Sequence, residues 1–223
     1  MIYIQKNAEP QEFIDWKRKF KNKNKRNAQY SDINEQPIKI KLKNALIQEQ
    51  KSICCYCCNQ IRDVDSHIEH FYPKGKPKYC GKSLDYDNLL ASCQGEGTKE
   101  SKTRRIRRHC GHAKLDQFDE MLLISPLDIN CAERFVFTQH GRVKPKDESD
   151  EKARYTIDIL NLNDEKLCAA RESALWEADV FSTKTKEEYL QLIEKYSSPA
   201  SGKLTAFCDA ILFHLRKGLE ECD

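Results

Sequence analysis

The stretch from residue 54 to residue 114 limits what this chain can fold into more than any other. It opens with Cys54-Cys55-Tyr56-Cys57-Cys58 and runs through Ser66-His67-Ile68-Glu69-His70-Phe71-Tyr72-Pro73 and Tyr86-Asp87-Asn88-Leu89-Leu90-Ala91-Ser92-Cys93. It closes with His109-Cys110-Gly111-His112-Ala113-Lys114. Cys54 and Cys57 stand at the spacing of a zinc knuckle. Cys93 and Cys110 would complete a four-thiolate site, although sixteen residues separate them where a second knuckle has two. A looped-out insertion permits this, because closure cost grows slowly with loop length. Cys55 and Cys58 repeat the knuckle spacing one residue on, so the register stays open. Buried thiols without metal are the plainer reading of each cysteine alone; their clustering favours structural Zn²⁺.

Composition bears on that choice. With 39% hydrophobic and 33% charged residues among 223, the chain can build a sizeable core and remain water-soluble. It has no run of about 18 apolar residues that could span a membrane, and residues 1–6 lack the apolar stretch of a secretory leader. The expectation is a cytoplasmic protein without membrane contact, where eleven cysteines point to metal rather than disulfides. Cys131, Cys168, Cys208 and Cys222 read as ordinary buried or free thiols.

Charge is divided along the chain. Residues 1–115 carry 24 Lys/Arg against 13 Asp/Glu, and residues 116–223 carry 14 against 22, a net of +11 against −8. The first part would draw a polyanion. Arg104, Arg105, Arg107 and Arg108, with Lys114, are the candidate nucleic-acid contacts. Solvated faces are the ordinary reading of any one charge run.

Residues 10–20 read as a helix with Phe13, Trp16 and Phe20 on one face, followed by a basic linker at 21–27. A second helix should begin at Pro37 and carry Ile38, Leu42, Ala45 and Leu46; a short strand at 38–42 is the alternative. Residues 94–108 read as a basic surface loop, and 110–118 as a helix start. Residues 135–143 read as a hairpin turned at Gly141. Helices should occupy 150–160, 164–181, 185–196 and 199–215, with Trp176 and Phe213 in the core. The expected class is α+β, mostly helical. The expected organisation is a basic helical segment (1–53), a zinc-stapled core (54–118), a hairpin connector (119–148) and a helical region suited to docking a partner (149–223).

Inside the cysteine frame lie the groups that a one-metal phosphodiesterase needs. A histidine must take a proton from water. A carboxylate and a second histidine must hold a divalent ion against the phosphate. An asparagine can pin the loop that orients the base. Glu69-His70, Asn88 and His112 stand in that order. On strand alternation His67 faces the same side as Glu69, and His70 the opposite side, so His67 competes as a partner or ligand.

These motifs, Cys54-x-Tyr56-Cys57, Ile68-Glu69-His70-Phe71-x-Pro73-Lys74, Tyr86-Asp87-Asn88-Leu89-Leu90-x-Ser92-Cys93 and Cys110-Gly111-His112-x-Lys114, resemble the HNH endonucleases. The likeness is greatest to the PtuB-like HNH proteins of Septu and retron-associated anti-phage systems. Leu123-Ile124-Ser125-Pro126, the hairpin and Leu160-Asn161-Leu162-Asn163 extend it over most of the chain. The resemblance implies a ββα-metal core with His70 as general base, Glu69 and His112 as ligands of one Mg²⁺ or Mn²⁺, and Asn88 as the central asparagine. Many HNH proteins put the last His or Asn directly after the cysteine, where Gly111 stands, so His109 competes with His112. The resemblance also implies DNA or structured RNA such as tRNA as substrate, an ABC/SMC-like ATPase as partner, and in retron systems a reverse transcriptase with its msDNA. A zinc-stapled binding or adaptor module without catalysis is the alternative.

Overall fold

The chain is a mixed α/β structure in the computed structural model, which describes residues 1–33, 36–99 and 106–222. Helix α1 (Gln11–Asn24) starts after Pro10 and stacks Phe13 on Trp16, with ring centroids 6.2 Å apart. It runs through the basic residues expected to form a linker, because lysine is a good helix former. Lys25, at φ 57, ends it. Helix α2 (Pro37–Glu49) carries proline in its first turn and buries Leu42, Leu46 and Ile47. Lys51 and Ser52, at φ 52 and 61, then turn the chain into the cysteine loop. That loop is closed by the Cys54 amide donating to the Asn59 carbonyl (2.8 Å) and the Cys58 amide to the Cys54 carbonyl (3.1 Å).

Strands β1 (Ser66–His70) and β2 (Leu89–Cys93) pair antiparallel, Ser66 opposite Cys93 and His70 opposite Leu89. β2 is buried along its whole length. The basic insertion has paired backbone at its base, β3 (Glu96–Lys99) with β4 (Ile106–Arg108). Helix α3 (Gly111–Lys114) is a single turn, shorter than expected. The hairpin β5 (Phe135–Phe137) and β6 (Val143–Pro145) turns at Gly141, φ 68. Four helices follow: α4 (Glu151–Ile159), α5 (Glu165–Glu177), α6 (Lys186–Ser197) and α7 (Cys208–Glu220). Asp150, Asp164 and Thr185 cap the first three by accepting from amides two or three residues on.

Two expectations fail here. Residues 199–207 form no helix, because the Phe207 amide is held by the Cys58 carbonyl at 2.8 Å and Phe207 sits at φ 56, so α7 starts only at Cys208. Trp176 is 63% exposed. The buried face of α5 is Leu167, Cys168, Arg171 and Leu175, with Arg171 between Phe137 and Phe207 and its guanidinium donating to the Gly141 carbonyl.

One buried cluster runs from Phe13 through Leu46, Leu90 and Phe137 to Leu215. The C-terminal helices are tied to the cysteine region by backbone bonds, Leu204 to Lys51 (2.9 Å) and Cys110 to Leu160 (2.8 Å). Among the described residues no helix is long and apolar enough to cross a membrane.

Candidate active site and metal centre

Three pieces of chain bring four sulfurs together: the 54–58 loop, the end of β2, and Cys110, whose backbone sits at φ 57. The Sγ atoms of Cys54, Cys57, Cys93 and Cys110 all lie within 4.8 Å of one another and all four residues are buried. Among the described residues this is the only group of three or more such donors that meets so closely. Cys57 and Cys93 are 3.9 Å apart, and a tetrahedral ion with about 2.3 Å bonds to sulfur gives edges of about 3.8 Å. The set fits Zn²⁺. Burial opposes ionisation of Cys54, but hydrogen bonds led by that from Cys110 outweigh it and hold this thiol well below its ordinary value. Cys55 lies in the main core, and Cys58 packs with Ile53, Leu204 and Cys208. His109 belongs to the sulfur cluster too: its Nδ1 is 3.2 Å from Cys110 Sγ and 3.8 Å from Cys93 Sγ.

Beside the cluster opens a cleft of about 260 Å³, lined among others by His67, Glu69, His70, Lys74, Gly111 and His112. Strand alternation puts His67 and Glu69 on one side of β1, with Nε2 and Oε2 3.5 Å apart. Gly111 comes so close that a Cβ there would overlap Glu69 Oε2 and lie 2.7 Å from His67 Nε2. Any larger residue would fill the cradle where carboxylate and imidazole converge. Glu69 Oε1 faces inward, accepting from the Tyr56 hydroxyl (3.1 Å) and pairing with the Lys114 ammonium (3.0 Å). Burial opposes its charge, yet the contact with His67 and the cation of Lys114 keep its carboxyl below the usual range.

The His112 ring stacks on His67, with centroids 4.1 Å apart and planes 10° off parallel. His112 Nδ1 lies 2.8 Å from the Gln94 carbonyl. A carbonyl only accepts, so Nδ1 carries the proton and Nε2 keeps its lone pair for an ion. Carboxylate, imidazole and cradle fit a divalent metal. Burial lowers the pKa of His112 despite that hydrogen bond.

His70 is oriented in the same way. Its Nε2 lies 3.0 Å from the Ser83 carbonyl, which leaves Nδ1 as the basic nitrogen, and the Tyr30 ring meets it edge-on at 4.5 Å. Burial, reinforced by the charge of Lys74, pushes His70 down to about 4, so the imidazole is neutral at neutral pH. Asn88 fixes the intervening loop: its Oδ1 accepts from the Tyr72 amide (2.7 Å), and its Nδ2 donates to the carbonyls of Tyr72 (3.1 Å) and Lys82 (3.0 Å).

Lys114, expected at a phosphate backbone, is 1% exposed. Its ammonium is engaged by Glu69 and by the His70 carbonyl at 2.9 Å, which leaves it no face for a phosphate. Arg104 and Arg105 lie outside the described residues, as does the side chain of Arg107; Arg108 is exposed and donates to the Gln94 carbonyl at 3.2 Å. Sequence reasoning missed Tyr30, Tyr56, Ser83 and Gln94. Two of these act through backbone carbonyls, which leave no trace in residue identity.

No family model matches the chain. Over 169 residues it is 25% identical to a retron Vc95 protein of Vibrio cholerae serotype O1 biovar El Tor, whose given name provisionally makes it an HNH endonuclease; the alignment covers 72% of this chain and 76% of that protein. The likeness to the HNH endonucleases holds.

Proposed function

We propose that this protein is a metal-dependent HNH-type endonuclease that hydrolyses phosphodiester bonds in DNA or structured RNA, and the effector of a retron-associated anti-phage system. The observation that carries this reading is the convergence of His70, Glu69 and His112 on one cleft, with the far nitrogen of each histidine tied to a backbone carbonyl. β1, β2 and α3 serve as the ββα-metal core within residues 54–118. A bound Mg²⁺ or Mn²⁺ would supply charge stabilisation at the phosphate and the leaving oxygen. Glu69 Oε2 and His112 Nε2 are the atoms that would hold it. Neutral His70 takes the proton of the attacking water on Nδ1, and the Ser83 carbonyl stabilises the imidazolium that results. Asn88 keeps Ser83 in place by pinning the loop before it.

The four cysteines would hold Zn²⁺ and brace the turn that carries His112. The helical region 149–223 would dock an ATPase partner, a reading supported by its net negative charge and by the exposed Trp176 on α5. Plasmid nicking by the purified protein with Mg²⁺ or Mn²⁺, alone and with the ATPase, is the direct test. Nicking that survives chelation, or that never occurs with either ion, overturns the assignment.

A further inference from the structure

Leu115 ends the one-turn helix at the lip of the cleft, with φ 50 and ψ −127. Glycine adopts this conformation freely and leucine does not. The side chain is 65% exposed and lines the same cavity as Glu69, His70 and His112. The fold accounts for the backbone and not for the side chain. The Leu115 amide donates to the Gly111 carbonyl at 3.1 Å. The next residue, Asp116, packs against Gly75 on the facing lip so closely that a Cβ on Gly75 would overlap its carboxylate. These contacts hold the turn in its left-handed form whatever side chain it bears. A glycine would meet them without strain, and an exposed leucine contributes nothing to burial. The facing lip carries Pro73 and the exposed Lys74, within a part of the chain whose charge is strongly positive.

An apolar side chain held rigidly beside a phosphate-type site meets, in a nucleic acid, the faces of sugars and bases. We propose that Leu115 is a wedge that enters between stacked base pairs of double-stranded DNA next to the phosphodiester in the cleft, so that cleavage favours steps that unstack readily, pyrimidine–purine steps first. The inference rests on the nuclease reading above.

The test uses the full chain with Ca²⁺, which suppresses turnover, and a DNA duplex carrying 2-aminopurine at successive positions. Its fluorescence rises where the base unstacks. The unsubstituted protein should brighten the probe at one step. Leu115→Gly should melt no lower than the parent, bind without brightening, and cut duplex roughly ten- to a hundredfold less well, as expected for losing a contact worth an unstacked step. Cleavage of single strands should change far less. Leu115→Asn, close in size but polar, should behave as Leu115→Gly does. Brightening that is absent in the parent or undiminished in Leu115→Gly overturns the wedge. So does an equal loss on single strands, or retained duplex activity with a lost protein partner, which would make Leu115 a protein contact. A parent that brightens the probe yet cuts nothing with Mg²⁺ or Mn²⁺ overturns the nuclease reading and leaves the wedge standing.

Discussion

The four-cysteine cluster and the cleft beside it use the same strand pair and share the 110–114 turn, but they are built on opposite plans. In the cluster every donor is buried and the sulfurs already crowd within 4.8 Å. In the cleft the donors line open space, and each is steered from behind: Glu69 by Tyr56 and Lys114, His70 by Ser83, His112 by Gln94. A closed set of ligands contributes to folding, whereas an open set with fixed backing keeps a coordination position for chemistry. On the function proposed above, the first region serves stability and the second turnover, and substitutions in the two should then fail differently.

The largest effect should come from the cluster. Structural zinc contributes about 10–16 kcal/mol to small zinc-dependent folds, so Cys57→Ser or Cys93→Ser should leave little folded protein. Elemental analysis should find zinc in the parent, and chelation should lower its melting temperature. Folded protein free of zinc would erase the contrast. In the cleft, His70→Ala should cut activity by about a hundredfold to ten-thousandfold while zinc content stays at the parent level. Loss of zinc on this substitution would show that the two regions are one.

Lys114 tests the seam between them. Removing its ammonium strands the buried carboxylate of Glu69, and breaking a buried pair costs about 3–5 kcal/mol. Lys114→Met should show that loss in denaturant unfolding, with the salt dependence of nucleic-acid binding unchanged. A flattened salt slope would return Lys114 to the phosphate backbone. His112→Ala should be milder, raising the Mn²⁺ needed for half-maximal activity by at least the roughly ten- to hundredfold seen when a residue that only orients a metal ligand is lost; activity that added Mn²⁺ cannot restore would argue that His112 is no ligand. The smallest effect belongs to the insertion. Replacing Arg104, Arg105, Arg107 and Arg108 with glutamine should weaken DNA binding and reduce the salt slope by up to about 3.6 for four phosphate contacts, with the fold unaltered.

Much of this arrangement was legible in the residues. The order of Glu69-His70, Asn88 and His112 within a frame of cysteines marked the candidate site, and strand alternation put His67 with Glu69. The helix starts expected at 150, 164 and 185 agree with the structure, where Asp150, Asp164 and Thr185 accept from amides that no carbonyl can reach. The choice between Cys54/Cys57 and Cys55/Cys58 was not legible, since the two pairs have identical spacing and only the path of the loop turns one of them toward Cys93 and Cys110. His112 was preferred with His109 as competitor, and the structure sets His109 against the sulfurs and His112 against His67.

By itself the sequence determined which chemistry the chain can do: thiolates for a soft ion, a carboxylate and imidazoles for a harder one, and a basic half for a polyanion. Donor type is a property of the side chain, whereas a site exists only where the fold brings the donors together. The tertiary structure alone decided which charges are spent inside and which are offered outside. Lys114 reads like a phosphate contact and is buried against Glu69; Trp176 reads like core and faces solvent; Leu115, though apolar, stands exposed at the lip of the cleft. Burial depends on which face an element turns inward, and α5 turns in Leu167, Cys168, Arg171 and Leu175 and leaves Trp176 outside.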